Sequence, residues 1–331
     1  MDLIPEARRG AVDEALRSAF GAQAADAWRP ISGGVSGALI LRFEVAGRDR
    51  VLRLEPERIA RGHRQRHYDC MAAGAEAGAA PAVHYADARS GVAIMDFVAG
   101  QPLETYPGGR VGLARALGEL TARVRAAPPF PAMDYPQVCA TLLRRLERSG
   151  ILAPGLLAPH AEGLARIREA LPWDAGALVS SHNDPNPRNL LFDGERLWLV
   201  DWELGASNDP LADLAILTYE LAEGPELEAA LLTAAFGRPP DRPMLARLEV
   251  IRLLTRLFYA VVVLENFKVG PDGPETTLDA FTPEDFRAAV KDGRLASGAQ
   301  ETAYAFGKMS LAAFLDGVRA PGFAAALEAV R

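Results

Sequence analysis

The chain has 331 residues, of which 49% are hydrophobic and 24% charged, with a formal net charge of -7. This length is enough for two lobes that each bury an apolar core. The negative charge argues against a nucleic-acid-binding surface and gives no attraction to anionic membranes. The longest apolar run, Leu257 to Leu264, is too short to span a membrane, so we expect a cytoplasmic protein without a membrane or nucleic-acid partner.

The first hundred residues predict one helix followed by strands. Residues 11–27 have helix-forming composition. Apolar side chains then occupy every second position from Leu39 to Val45, which predicts a strand, and a returning strand is expected around Val51–Leu54. The glycine-rich stretch 33–37 precedes this hairpin. Such a stretch lets backbone N–H groups approach phosphate oxygens, although an ordinary turn also explains it.

The rest of the chain is mainly helical in pattern, apart from one further strand and the segment that carries the chemistry. Residues 91–100 predict a buried strand that runs into a glycine turn, and we place a domain boundary near Gly100. Apolar residues at helical spacing predict helices within 111–126, 137–149, 159–171, 241–267 and 283–331.

The chemistry is concentrated between Ser181 and Glu203. His182 and Asp184 are followed by Asn189, five residues after Asp184, and by Asp201, twelve residues further on. This is the order that a kinase-type phosphoryl-transfer site requires, with a base for the attacking hydroxyl and then two metal ligands.

A hairpin predicts how these residues meet. Two apolar runs, 190–192 and 197–200, are joined by a turn with an Asp-Gly step. Such a hairpin brings Asn189 and Asp201 to the same open end, where an amide oxygen and a carboxylate suit Mg²⁺. Asp184 then faces the space in front of the metal, where it can accept a proton from a substrate hydroxyl.

These motifs, with Asp201-Trp202-Glu203 and the stretch 208–215, resemble the aminoglycoside phosphotransferase and choline/ethanolamine kinase superfamily. The His-Asn-Asp opening of the catalytic segment and the Asp-Trp-Glu ending are more similar to the choline kinase branch. The resemblance implies an α+β, protein-kinase-like fold of two lobes with an ATP cleft between them. Residues 1–100 would form a small lobe with an antiparallel sheet, and residues 101–331 a larger, mainly helical lobe.

The resemblance also implies a role for individual residues. The implied roles are catalytic base for Asp184; Mg²⁺ ligands for Asn189 and Asp201; ATP contacts for Gly34, Ser36, Arg53, Asp96, Phe97 and Val98; and structural support for His182 and Asp213.

One position departs from the family pattern. The family has a glutamate on the helix after the second strand, where it pairs with the basic residue that corresponds to Arg53. This chain carries residues 66–69, Arg-His-Tyr-Asp, at that place. Asp69 is the nearest acid, but two residues rotate a helical side chain by about 200°. Either Asp69 substitutes for the glutamate, or Arg53 is positioned without an ion pair.

The acceptor is expected to be a hydroxyl of a small molecule. Trp202, Glu203 and Tyr259 would supply an aromatic and acidic pocket that suits an amine or quaternary ammonium group. An amino alcohol such as choline or ethanolamine is the first expectation, and an aminoglycoside or sugar is the alternative. Aromatic residues at helical spacing are, however, core residues in most proteins.

Two other functions compete with this interpretation. A protein kinase shares the catalytic logic, but Asp201 leads almost at once into Asp209-Pro210, which leaves no room for an activation segment. A non-catalytic nucleotide-binding scaffold is suggested by the missing helix glutamate. Against the scaffold, the base and both metal ligands are present.

Overall fold

A computed structural model describes residues 3–31, 37–270, 273–296 and 298–331, so the predicted nucleotide contacts Gly34 and Ser36 lie outside the described residues. The strands are β1 (Ala25–Pro30), β2 (Leu39–Val45), β3 (Arg48–Leu54), β4 (Val83–Asp87), β5 (Val92–Asp96), β6 (Val179–Ser181), β7 (Leu190–Phe192), β8 (Leu197–Leu199) and β9 (Ala206–Asn208). The α-helices are α1 (Glu6–Phe20), α2 (Arg61–Glu76), α3 (Gly109–Arg125), α4 (Tyr135–Ser149), α5 (Ala158–Ala170), α6 (Ala212–Glu220), α7 (Pro225–Phe236), α8 (Arg242–Leu264), α9 (Pro283–Lys291), α10 (Gln300–Arg319) and α11 (Gly322–Ala329).

The chain divides into two compact units, each formed by two stretches of sequence. The first contains residues 1–131 and 179–239, and the second contains residues 132–178 and 240–331. All the strands named above belong to the first unit, whereas the second unit is helical. The lobe boundary predicted near Gly100 is a different division and stays a prediction.

A five-stranded antiparallel sheet in the order β1-β2-β3-β5-β4 forms the core of the N-terminal part of the first unit. Along β2, Leu41, Phe43 and Val45 are buried while the residues between them are partly exposed, as the alternation predicts. Their face of the sheet packs against Val12 and Ala15 of α1. Burying each large apolar side chain contributes about 1.5–3 kcal/mol. The α+β fold class is confirmed.

The first helix differs from its prediction. Helix α1 ends at Phe20 because Gly21 has a positive φ of 67°, which a right-handed helix cannot continue and which glycine adopts readily. Residues 21–24, which were expected to be helical, are in neither a helix nor a strand, and Ala25, Asp26 and Ala27, the end of the predicted helix, are in β1.

The second unit is organised around α8, whose buried residues include Leu254 and Leu257. Helix α10 approaches α8 at two glycines. A Cβ on Gly307 would lie 2.6 Å from the Leu264 side chain, and one on Gly317 would lie 2.2 Å from Leu253. Among the described residues, no helix has both the length and the apolar character that crossing a bilayer requires.

His160 is a buried titratable group in this second unit. Its side chain is fully buried, Nε2 lies 3.2 Å from the Leu311 carbonyl oxygen, and its ring stacks on Phe314. Burial lowers the pKa of His160 to about 4. Because a histidine in an unfolded chain has a pKa of about 6.5, the unfolded state binds more protons between these two values. The free energy of unfolding therefore falls as the pH falls through this window.

We predict that His160→Gln reduces this pH dependence. Urea denaturation should show that His160 accounts for about 2 kcal/mol of the wild-type stability lost between pH 7 and pH 5. The variant should lack that part of the loss, since glutamine does not titrate there. His63→Gln, at an exposed position, serves as the control and should retain the wild-type slope. An unchanged slope in His160→Gln would contradict the prediction.

Candidate active site

Residues 182–189, here called the catalytic loop, follow β6 directly. Asn183 has a φ of 65°, a left-handed conformation that asparagine tolerates better than most residues. Its Nδ2 donates to the carbonyl oxygens of Leu204 (2.9 Å) and Ala206 (3.2 Å), and its Oδ1 accepts from Nδ2 of Asn208 (2.7 Å). The loop is thereby fastened to the segment that follows Asp201.

Asp213 fixes the start of the catalytic loop from the first turn of α6. Its two carboxylate oxygens accept the backbone N–H groups of His182 (2.8 Å) and Asn183 (2.7 Å). Burial raises the pKa of Asp213 to about 6, although both N–H donors favour the carboxylate. The side chain is buried and faces the backbone of the loop, which is the arrangement that a structural role requires.

His182 also contacts the protein framework. It is fully buried, its Nε2 lies 3.0 Å from the Val200 carbonyl oxygen, and its ring meets that of Trp202 edge to face at 4.6 Å. Burial lowers the pKa of His182 to about 4. A neutral imidazole in this position links the loop to the end of β8.

The Asp184 carboxylate is held by two amide groups of its own loop. Nδ2 of Asn186 donates to Oδ1 at 2.7 Å, and Nδ2 of Asn189 donates to Oδ2 at 2.9 Å and to the Asp184 carbonyl oxygen at 2.9 Å. Since the nitrogen of the Asn189 amide is used in this way, Oδ1 is the atom that it can offer to a cation.

The predicted hairpin is present and brings the two candidate metal ligands to its open end. Strands β7 and β8 pair antiparallel, with Leu190 opposite Leu199. The pairing continues one step beyond the strands, where the Val200 N–H donates to the Asn189 carbonyl oxygen at 2.9 Å. Asp201 follows directly, with a φ of 63°.

The Arg53 guanidinium lies among three carboxylates. Its side chain is buried, and Nε donates to Oε1 of Glu55 at 2.6 Å. The terminal nitrogens face the hairpin, with one donating to Oδ1 of Asp201 at 3.1 Å and the other lying 3.7 Å from a carboxylate oxygen of Glu203. The sequence-predicted phosphate anchor and one predicted metal ligand are therefore in direct contact.

Both alternatives for the partner of Arg53 were wrong. Asp69 does not replace the glutamate, because it is exposed and accepts a hydrogen bond from Gln65 (2.9 Å). Arg53 is nevertheless ion-paired, and its partner is Glu55. His67, on α2, approaches the same oxygen of Glu55 through Nδ1 at 3.4 Å. The sequence held a signal for Glu55, since residues two apart on a strand point to the same face.

Charge and burial shift the pKa values in this cluster in opposite directions. Burial opposes ionisation of Glu55, but hydrogen bonds from His67 and Arg53 prevail and lower its pKa to about 2. Although 48% of the Glu203 side chain is exposed, partial loss of surrounding water, and then the negative charge of Asp201, raise the pKa of Glu203 to about 7. Glu55 is thus ionised at neutral pH.

At residues 96–98, which the resemblance predicts to contact the nucleotide, two of the three backbone N–H groups are already bonded. The Asp96 N–H donates to the Ala82 carbonyl oxygen at 2.9 Å, and the Phe97 N–H donates to that of Asp49 at 3.3 Å. Within the described ranges, the Val98 N–H donates no hydrogen bond. Of these three N–H groups, that of Val98 is therefore the one that an adenine ring could accept from.

The Asp96 side chain is engaged on the sheet. Its carboxylate is ion-paired with Arg50, and its Oδ1 lies 2.7 Å from Nε2 of His84. Any contact of Asp96 with a nucleotide would accordingly involve the backbone.

The three predicted acceptor contacts have different environments. Trp202 is 1% exposed and packs beside Gly74 and Phe130, which contradicts a direct acceptor contact because the ring is core. Glu203 is exposed beside Arg53. Tyr259 lies on α8 in the second unit, half-buried against neighbouring aromatic rings, and its contact with an acceptor stays a prediction.

The donor atoms at the hairpin end fit Mg²⁺. In the part of the chain that the structure describes, there is no group of three or more His, Cys, Asp or Glu side chains that could enclose a metal ion. Mg²⁺ commonly takes one or two protein oxygens and completes its shell with water and substrate phosphates. The amide oxygen of Asn189 and the carboxylate of Asp201 match that requirement.

The solved structures that are similar to this one include choline kinases and an aminoglycoside phosphotransferase, and they show a protein-kinase-like fold. The sequence matches the phosphotransferase enzyme family over residues 27–249, more than half of its length. The chain belongs to this family.

Particular relatives share the fold or a short part of the sequence. A choline/ethanolamine kinase family protein from Mesorhizobium loti has a TM-score of 0.66 at 22% identity, covering 97% of this chain and 99% of its own. Choline kinase LicA from Streptococcus pneumoniae has a TM-score of 0.62 at 12% identity, covering 93% and 100%. Protein LicA from Haemophilus influenzae is 46% identical over 43 residues, which are 13% of this chain and only 16% of LicA.

We predict that Gly74→Ala destabilises the segment that carries Asp201. A Cβ on Gly74 would lie 2.6 Å from two carbons of the Trp202 ring, so the helix or the ring must move. Overpacking of this kind costs about 1–3 kcal/mol, measured by urea denaturation.

Gly62 provides a matched control on the same helix, because a Cβ there meets nothing within 4 Å. Gly62→Ala should instead stabilise the protein by up to about 1 kcal/mol through helix propensity. Equal stability of the two variants would show that Trp202 is not packed closely against α2.

Proposed function

We propose that this protein transfers the γ-phosphate of ATP to a hydroxyl group of a small molecule, with Asp184 as the catalytic base. The observation that carries the proposal is the linkage of Asp184 to Asn189 by a 2.9 Å hydrogen bond, at the open end of the hairpin that also presents Asp201. Membership of the phosphotransferase family supports it. A nucleotide-binding scaffold without catalytic activity would not need to keep a catalytic base beside the metal-ligand side chains.

The roles follow from the chemistry of each group. Asp184 would accept the hydroxyl proton as the acceptor oxygen bonds to the γ-phosphorus and the bond to the leaving ADP oxygen breaks. Asn189 and Asp201 would hold Mg²⁺, which neutralises charge on the phosphates. Arg53 would contact phosphate oxygens through its two terminal nitrogens, one of which now faces Asp201 and the other Glu203.

The nucleotide would be held mainly by backbone groups. We propose that the Val98 N–H and the backbone at Asp96 and Phe97 contact the adenine, and that Gly34 and Ser36 contact phosphates. The hydrogen bonds already made by the Asp96 and Phe97 N–H groups favour Val98 as the donor. A cytoplasmic location, where ATP is made available to such enzymes, stays a prediction.

The acceptor that we propose is an amino alcohol, with choline and ethanolamine as first candidates. The names of the structurally similar proteins from Mesorhizobium loti and Streptococcus pneumoniae support this choice. Glu203, exposed beside Arg53, would supply a carboxylate for the cationic group. An acceptor contact of the Tyr259 ring, whose aromatic face suits a cation, is a separate proposal. An aminoglycoside or a sugar is the alternative acceptor.

We test the proposal by measuring ADP release with MgATP across choline, ethanolamine, aminoglycosides and sugars. Turnover is expected with an amino alcohol, and Asp184→Asn should reduce kcat by about 10²–10⁴-fold, since the amide cannot accept the proton. Glu195→Gln, the same kind of change at an exposed position in the hairpin turn, should retain activity.

Other outcomes would change the conclusion. Turnover with only an aminoglycoside or a sugar would contradict the proposed amino-alcohol acceptor but would still support phosphoryl transfer. Binding of MgATP without turnover of any acceptor, unaffected by Asp184→Asn, would contradict catalysis and favour a nucleotide-binding scaffold.

A further inference from the structure

Arg53 is held by Glu55, which in turn contacts His67, and both of these residues lie outside the family motifs. We propose that Glu55 and His67 act together as positioning residues, replacing the helix glutamate of the family and fixing the Arg53 guanidinium for contact with the nucleotide phosphates. This inference rests on the proposed function and deepens it.

Glu55 is fixed at both its backbone and its side chain. Its N–H donates to the Gly91 carbonyl oxygen at 2.8 Å, and its own carbonyl oxygen accepts from Arg8 of α1 at 3.1 Å. One carboxylate oxygen, Oε1, then receives Nε of Arg53 at 2.6 Å. Since the residue is buried, few other positions are open to the carboxylate.

His67 connects this ion pair to α2. It is buried, and its Nδ1 lies 3.4 Å from the same Oε1 of Glu55. Burial lowers the pKa of His67, so the ring is neutral and offers an N–H to the carboxylate. Helix α2 is the helix from which the family's glutamate would reach the basic residue. In this chain the acid directly follows β3, and the helix contributes a neutral donor.

The geometry leaves the outer edge of the guanidinium directed at the site. Nε is bonded to Glu55, while the two terminal nitrogens approach Asp201 (3.1 Å) and Glu203 (3.7 Å). A planar guanidinium can therefore keep Glu55 on one side and meet phosphate oxygens on another. A lysine in its place has a single nitrogen, which would have to serve both.

The first test compares Glu55→Gln with wild type in MgATP titration calorimetry and in turnover. We expect the dissociation constant of MgATP to rise about 10–100-fold, because a charged hydrogen bond to Arg53 is lost. Glu55→Asp keeps the charge but shortens the reach, and should weaken binding to a smaller degree. Asp69→Asn removes an exposed acid of α2 and should leave binding within about twofold of wild type.

The second test asks for rescue, which a merely structural role would not give. The double variant Glu55→Gln/His67→Glu places an acidic residue on α2. Its affinity for MgATP should recover most of what Glu55→Gln loses. Arg53→Lys should weaken binding, and Arg53→Lys/His67→Glu should bind more tightly than Arg53→Lys, because it recreates a lysine–glutamate pair. Circular dichroism and Tm establish that each variant is folded.

The outcomes separate this inference from the proposed function. Wild type that binds no MgATP would overturn both. Wild type that binds MgATP, with folded Glu55→Gln or Glu55→Asp binding equally well, would overturn this inference alone. Absence of rescue in both double variants, when they are folded, would also overturn it.

Discussion

The site depends on the buried guanidinium of Arg53. A buried cation is stable only when its charge is compensated and its donors are satisfied, and removing one partner of such a pair costs about 3–5 kcal/mol. Glu55, directly after β3, compensates the charge of Arg53, and Asp201 approaches the guanidinium from the end of β8. His67 connects the ion pair to α2. One charge thus connects the sheet, a helix and the hairpin of the predicted metal ligands.

The catalytic loop is held by a separate set of contacts, in which backbone groups dominate. Asp213 accepts two N–H groups at the start of the loop, and Asn183 binds carbonyl oxygens beyond Asp201. Two asparagine amides then orient the Asp184 carboxylate. Neutral hydrogen-bond donors and one buried carboxylate therefore set the geometry of the loop. The ion pairs of the site are instead those of Arg53.

The sequence predicted the features that depend on residues close together along the chain. The hairpin that brings Asn189 and Asp201 together follows from two apolar runs and an Asp-Gly turn, and the burial along β2 follows from alternation. The pairing of Glu55 with Arg53 was not predicted, because the family pattern places the acidic partner on α2. The burial of Trp202 depends on Gly74, more than a hundred residues away, and spacing cannot reveal such a contact.

The most direct measurement is a crystal structure with Mn²⁺ and a non-hydrolysable ATP analogue, using anomalous scattering to locate the metal. The account predicts an anomalous peak within coordination distance of Asn189 Oδ1 and an Asp201 carboxylate oxygen, with the terminal phosphate against the outer edge of Arg53. Nε of Arg53 should remain on Glu55. A metal bound away from Asn189 and Asp201, with Arg53 making no phosphate contact, would contradict it.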